Sequence, residues 1–353
     1  MRSPCVLVTG GTGILGRPLV WSLVAQGYQV MVLSRKDALA SELGLPVGVE
    51  IIRGDLTQDK LGLSQSKLEA LARELKVCWH CAAYVGFDAR KAHLAWQVNV
   101  QGTRRILKLL DMAPQASLHY VSTAYVAGKT PGLIFEDPVA EVPFRNTYEQ
   151  TKNLAERLVF HWARSRHRLV KIYRPGIIIW PGARSQGIGG VLRSIELVAK
   201  AFGLKGGDIL GIPACTMAYL NIVSLDSLIE ALIILSKDLF PPGIYHLTNP
   251  HPIRVVELLR IIGETVGVRV EAICPQLPRP LTLAEKFCCR LIKDLLPYGQ
   301  VWQHFESSRT RALVGDLLDL SLERLKELLE PRPKDQGWRY FCSFLGTHQR
   351  MKL

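Results

Sequence analysis

Tyr148 and Lys152 stand four residues apart in Tyr148-Glu149-Gln150-Thr151-Lys152. On a helix that spacing puts both side chains on one face. A lysine ammonium beside a phenol favours the phenolate and lowers the tyrosine pKa. Such a tyrosine exchanges a proton with a bound substrate near neutral pH. A second match, Tyr125 to Lys129, runs through Gly128 and stops just before Pro131, which makes a poor helix. Tyr148 is instead followed by Leu154, Leu158, Val159 and Trp162 at helical spacing. A hydroxyl that binds the reacting oxygen is expected at the end of a strand. Ser122 and Thr123 sit at such a place, about 25 residues upstream. The blander role for either hydroxyl is to cap the strand.

A second constellation supplies what that pair needs. Thr9-Gly10-Gly11-Thr12-Gly13-Ile14-Leu15-Gly16 follows a short apolar run and opens a helical pattern. Gly10 allows a tight turn, Gly13 lets backbone approach a pyrophosphate, and Gly16 lets helix pack closely on strand. The helix N-terminus then faces the phosphates. In that setting the spacing predicts a dinucleotide site. The next strand ends in Leu33-Ser34-Arg35-Lys36, without the carboxylate that binds a ribose 2′-hydroxyl in NAD sites. Arg35 offers a planar fork for a 2′-phosphate and Ser34 a further hydrogen bond, so NADP(H) is the expected cofactor. Lys152 is then also placed to hold the nicotinamide ribose.

The elements that must position these residues alternate in type. Cys5–Thr9, Gln29–Leu33, Glu50–Ile52, Val77–Cys81, Leu118–Ser122 and Val170–Arg174 read as strands. Helical spacing covers Ile14–Ala25, Lys67–Leu75, Val98–Met112 and Thr147–His161. This alternation predicts an α/β protein with a doubly wound parallel sheet covered on both faces. From about residue 183 the rhythm is irregular. Helices are expected over Val191–Ala201, Leu225–Leu235, Val255–Val266, Thr282–Leu296 and Leu322–Leu329, and strands over Ile244–Leu247 and Arg269–Ile273. Residues 1–182 are therefore expected to form the Rossmann domain. Residues 183–353 form a smaller, mostly helical substrate region, with parts such as 218–250 returning to the sheet.

The chain carries a formal charge of +13, of which +3 falls in residues 1–150 and +10 in the remainder. A basic surface attracts phosphates, anionic lipid or an acidic carrier protein; no nucleic-acid motif is present, and the charge alone would also serve solubility. Cys78-Trp79-His80-Cys81 has CxxC spacing. It lies in a strand rather than at a helix N-terminus, which favours buried structural thiols over redox chemistry. The nine histidines form no metal-binding spacing, so no metal site is expected. No apolar run reaches the ~20 residues of a membrane span, and the first glycines come too early for a signal peptide. A cytoplasmic setting is the expectation. Around Leu281, Leu283, Phe287, Leu291, Ile292 and Leu295, the interspersed Lys286, Arg290 and Lys293 allow either a lid over a pocket or peripheral contact with a membrane.

Taken together, these residues resemble the extended short-chain dehydrogenase/reductase family, from Gly10 to Tyr173-Arg174-Pro175-Gly176. The resemblance implies that Thr123, Tyr148 and Lys152 are catalytic. It implies that Asp55 and Leu56 meet the adenine, that Ala82 and Ala83 run along the cofactor, that Asn99 is the family's helix asparagine, and that Pro175, Gly176 and Ile177 lie beside the nicotinamide. Val121–Val126 and Phe305-Glu306-Ser307-Ser308 are similar to the fatty acyl-CoA reductase and carrier-protein thioester reductase branch. That branch implies NADPH-dependent reduction of an acyl thioester, on coenzyme A or an acyl carrier protein, to aldehyde or alcohol. Alternatives are a ketone or hydroxyl oxidoreductase resembling steroid or flavonoid reductases, and a non-catalytic NADP(H)-sensing protein. A nucleotide-sugar epimerase, built on the related epimerase/dehydratase pattern, fits less well because of Arg35.

Overall fold

The computed structural model describes residues 4–183, 187–274 and 279–330. Seven parallel strands form the central sheet: β1 (Cys5–Thr9), β2 (Gln29–Ser34), β3 (Glu50–Arg53), β4 (Leu75–His80), β5 (Ser117–Val121), β6 (Val170–Pro175) and β7 (Gly243–Leu247). Their spatial order is β3-β2-β1-β4-β5-β6-β7. The order reverses between β1 and β4, and in open α/β sheets ligands bind at that switch point, beyond the carboxyl ends of the strands.

The strands are near-continuous apolar runs because both faces are covered. Val6, Leu7 and Val8 of β1 are fully buried. On one face lie α2 (Gln65–Glu74), α3 (Gly102–Met112) and α4 (Thr147–Ser165), sharing a core with Leu7, Cys78 and Tyr120. On the other lie α1 (Gly16–Ala25) and α6 (Leu225–Ser236), packed around Val6, Val8, Trp79 and Tyr173. The expected doubly wound α/β fold is thus the one present.

A third core belongs to the later half. It gathers α5 (Gly187–Phe202), α7 (Val255–Val266) and α8 (Leu283–Leu291). Two short strand pairs tie it back, Ile222–Ser224 running parallel to Ile177–Ile179 and Gln303–Phe305 to Gly132–Ile134, while Arg269–Ile273 pairs with Ile209–Pro213 inside it. The helix expected over Thr282–Leu296 is shorter. It ends at Leu291, and the chain turns into a 3-10 segment at Leu296–Gln300. Thr282 caps its N-terminus in a box with Glu285, whose carboxylate is also bound by Arg279 and by the Gly211 amide. Pro297 lies at the start of that 3-10 segment, where a missing N–H is tolerated.

The halves are joined by a buried polar cluster. The Arg174 guanidinium, fully buried in β6, donates to Glu156 of α4 at 2.5 and 3.2 Å, and to the Phe135 and Asp137 carbonyls. Its Nη1 lies 3.1 Å from His246 Nε2 in β7, while His246 Nδ1 meets the Glu306 carbonyl at 2.6 Å. A carbonyl only accepts, so His246 is the neutral Nδ1–H tautomer. Burial, and next the Arg174 charge, hold this imidazole down to about 3.

Candidate active site

A single cleft of about 940 Å³ runs over the carboxyl ends of β1, β2, β4, β5 and β6. At one end it is lined by Gly10, Thr12, Gly13, Ile14, Leu15 and Gly16. Two of these glycines are dictated by geometry. Gly10 has φ +71°, and a Cβ there would fall 2.7 Å from the Ala82 amide nitrogen. A Cβ on Gly16 would fall 2.1 Å from the Gly10 carbonyl oxygen. No larger residue allows the loop to close on β4 or α1 to start there.

Ser34, Arg35 and Lys36 line the same end, with Arg35 and Lys36 exposed at the rim. Ser34 Oγ accepts from the Lys36 amide at 3.1 Å, folding the turn after β2. Asp55 and Leu56 also face the cleft; Asp55 Oδ1 accepts from the Thr57 amide and hydroxyl, both at 2.8 Å. Ala82 and Ala83 continue its floor, and Pro175, Gly176 and Ile177 close the far side. Asn99 is placed differently. It is buried behind the cleft wall and does not line it. Its amide accepts from Tyr84 N at 2.7 Å and donates to the Tyr84 carbonyl and to Thr151 Oγ1. Asn99 thereby ties the wall segment at Tyr84 to the helix that carries Tyr148. A π-helical segment, Trp96–Gln101, precedes α3 and positions it.

Thr123, Tyr148 and Lys152 all line this cleft. Asn146 caps α4 by accepting from Glu149 N at 3.0 Å, and Tyr148 is in the first turn. Arg145 and Glu149 form a buried i,i+4 ion pair at 3.1 Å, and Gln303 accepts from Arg145 at 2.6 Å, so this helix start is rigidly held. Burial pushes the Tyr148 phenol up to about 12, opposed by a hydrogen bond with Thr123. The lowering expected from Lys152 is not seen. Lys152 Nζ points instead at the strand end, donating to the Val121 carbonyl at 2.7 Å and to Tyr120 Oη at 2.9 Å, with its nitrogen 4.3 Å from the Tyr120 ring centre. Burial pushes the Lys152 ammonium down to about 8, with Glu156 the largest opposing influence.

Tyr120 escaped the sequence reading, as an aromatic in a buried strand looks like core. It continues into a buried polar chain. Thr103 Oγ1 donates to the Asn99 carbonyl at 2.6 Å and lies 3.0 Å from His80 Nε2. Having spent its proton, Thr103 accepts from His80, and Thr9 Oγ1 donates to His80 Nδ1 at 2.6 Å. Burial, with the Lys152 charge, holds His80 neutral, its pKa down to about 3. Ser122 lines the cleft beside Thr123 and is 3% exposed, yet its Oγ has no partner among the described residues. A buried orphan hydroxyl suits a ligand group.

The second match is not assembled: Tyr125 is buried and Lys129 exposed, on opposite sides of Gly128. Of the CxxC, Cys78 is buried and Cys81 half-buried at the cleft, and burial raises the Cys78 thiol to about 12 and the Cys81 thiol well above its ordinary value. That is opposite to what redox chemistry needs. Among the described residues no cluster of His, Cys, Asp or Glu could hold a metal.

Beyond the triad the cleft continues into a lobe that the sequence reading did not resolve. Ile188, Val191 and Ser194 of α5, Leu258 and Leu259 of α7, and Leu291, Ile292 and Leu295 around the end of α8 line it. Phe87 and Tyr298 stand between lobe and triad, with ring centres 6.2 Å (Phe87–Tyr148) and 6.1 Å (Phe87–Tyr298) apart.

The fold and cleft define a dinucleotide-binding oxidoreductase of the extended short-chain dehydrogenase/reductase kind. More specifically, a family model described as "Male sterility protein", an NAD-binding domain, matches residues 8–232, and the chain belongs to that family. A fatty acyl-CoA reductase, wat, from Drosophila melanogaster is 30% identical over 223 residues, covering 49% of this chain and 43% of that protein. The chain therefore matches less than half the length of that relative. A Stigmatella aurantiaca protein named 4-hydroxy-2-methyl-3-oxo-4-farnesyl-3,4-dihydroquinoline-1-oxide ketoreductase is 28% identical over 268 residues, 75% of this chain and 74% of that one. The crystal structure of the terminal R domain from the myxalamid PKS-NRPS pathway superposes with a TM-score of 0.76 at 23% identity, covering 93% of this chain and 90% of that one. At that identity the likeness concerns the fold.

Proposed function

We propose that this protein is an NADPH-dependent reductase of acyl thioesters, with acyl-CoA or an acyl-carrier-protein thioester as substrate and aldehyde or alcohol as product. The observation that carries the proposal is the continuity of one cleft from the glycine loop, past Thr123 and Tyr148, into an apolar lobe. The cradle fits a dinucleotide: Gly10 and Gly16 leave backbone space and Ser122 offers an unpaired hydroxyl, while the exposed Arg35 after β2 supports the choice of a 2′-phosphate. Residues up to 182 carry this machinery, and the described residues between 187 and 330 shape the substrate side; the rest of the expected substrate region, 331–353, lies outside the described residues.

When bound, the reduced nicotinamide supplies the hydride. The chain's own residues act on the substrate oxygen. Thr123 and Tyr148 donate hydrogen bonds to the thioester carbonyl, which strengthen as negative charge develops there. Tyr148 gives its proton to that oxygen. Lys152, held by Tyr120 and the Val121 carbonyl, lines the cleft beside this pair and is available to hold the cofactor ribose. The hemithioacetal then breaks its C–S bond, the sulfur leaves with a proton as thiol, and an aldehyde remains. A second hydride equivalent gives the alcohol.

The test is to follow reduced-nicotinamide absorbance on mixing NADPH with a long-chain acyl thioester. Wild type is expected to oxidise NADPH and yield aldehyde or alcohol. Tyr148→Phe, which lacks the proton, is expected to lose about 10²–10⁴-fold in rate while binding NADPH as before. A ketone substrate is the second reading, favoured by the ketoreductase relative that matches over three quarters of this chain. Turnover of a ketone panel with no thioester reduction would select it. Tight NADPH binding with neither activity would leave a cofactor-sensing role.

A further inference from the structure

The outer face of α8 is built from Leu283, Lys286, Phe287, Arg290 and Leu291, which follow one another at i, i+3, i+4, i+7 and i+8. That spacing places them on one side of the helix. All five are exposed, Leu283 at 75% and Phe287 at 42%. The inner face, with Glu285, Cys288 and the following Ile292, is buried against α5 and the Ile209–Pro213 strand. The outer stripe continues onto α5. Leu197 and Phe202 are exposed there, and the Phe202 and Phe287 rings lie 6.1 Å apart. Exposed Arg193, Lys200 and Lys293 frame the patch; Glu196, half-buried, and exposed Asp294 are the acids next to these cations in sequence.

Isolated exposed apolar side chains need no explanation, but a contiguous set marks an interaction surface. Here the chemistry of the partner is constrained twice. Cations select an anionic partner, as each lysine or arginine near an anionic bilayer strengthens attachment. Large apolar side chains on the same helical face need somewhere apolar to enter, which is the arrangement of a helix lying in a membrane interface. An acidic protein would answer the charges and leave Leu283, Phe287 and Phe202 unmatched. The position of the patch supplies a further reason: Leu291 belongs both to the stripe and, with Ile292 and Leu295, to the lining of the apolar lobe.

We propose that this α5–α8 face docks reversibly on an anionic lipid bilayer, setting the mouth of the lobe against the membrane so that an apolar acyl substrate enters from the lipid. The entry route rests on the proposed thioester reduction; the docking does not. The test is sedimentation of the full chain with vesicles of phosphatidylcholine alone and of phosphatidylcholine with phosphatidylserine, at low and high salt. Wild type is expected to pellet with the anionic vesicles at least tenfold better than with the neutral ones, and to be released by salt. The double variants Leu283→Ser/Phe287→Ser and Lys286→Glu/Arg290→Glu are each expected to weaken pelleting by tenfold or more. Their thermal melting and NADPH binding should match wild type. Failure of wild type to pellet with either vesicle overturns the proposal, as does wild-type pelleting by both variants. So does a charge-reversed variant that loses a purified acyl carrier protein yet keeps its vesicle binding. Vesicle binding without thioester turnover leaves the docking surface standing and removes only the entry route.

Discussion

The wall of the cleft that carries the glycine loop and the wall built by the later half are assembled differently. The first is a set of strand ends. Gly10–Gly16 follows β1, Ser34 ends β2 and Arg35 follows it, Ala82 and Ala83 follow β4, and Ser122 and Thr123 follow β5. Each is placed by the sheet, and each lies beside the element that dictates it. The second wall takes residues from α5, α7, the end of α8 and the Leu296–Gln300 turn, brought together only by the packing of the third core. Position is thus specified locally on one side and collectively on the other.

The largest way to break this comparison is to cut the joint between the walls. Glu156→Gln strands the fully buried Arg174 guanidinium without its anion, which costs about 3–5 kcal/mol. Chemical denaturation should show a single destabilised transition, because α4, β6 and β7 all meet at that pair. Two separate transitions would instead show the halves folding independently.

Acid acts next, and mainly on the sheet. His80, His119 and His246 are buried and neutral, with pKa values held at about 3, below the ordinary 6.5. Between those values the unfolded chain binds the protons and the folded chain does not. Stability is therefore complete above pH 6.5 and falls as pH drops, by up to about 1.4 kcal/mol per pH unit for each histidine. The melting temperature should decline steadily from pH 7 to 5. A flat profile would mean that these imidazoles are protonated in the fold.

A smaller, local effect is expected from Arg35→Glu. If the guanidinium meets a 2′-phosphate, the Kd for NADPH rises about 10–100-fold while that for NADH changes little or improves, measured by fluorescence titration. An equal loss for both dinucleotides would remove Arg35 from cofactor selection. The smallest effect belongs to the collectively built wall. Ser194→Trp, in the lobe, should lower kcat/KM roughly tenfold for long acyl chains relative to short ones. NADPH affinity should be untouched. An equal loss for all chain lengths would place the acyl chain elsewhere.

The sequence by itself determined the doubly wound sheet, the glycine loop after β1 and the placing of Tyr148 and Lys152 on one helix. These rest on short-range rules: period-two and period-3.6 burial, turn chemistry, and side chains four apart on a helix. It also separated Tyr148 from the Tyr125 match, since Gly128 and Pro131 bar a helix there. Tertiary structure alone decided what lies behind those residues. Lys152 is held by Tyr120 rather than aimed at Tyr148, and Asn99 is an anchor for Tyr84 and Thr151 rather than part of the cleft lining. Arg145 reaches Gln303, 158 residues away, and Arg174 reaches His246, 72 residues away. The length of α8 and the apolar lobe beside it were likewise settled by packing. Contacts between distant segments leave no periodic trace along the chain, because the partner of each residue is chosen by the fold and not by its neighbours in sequence.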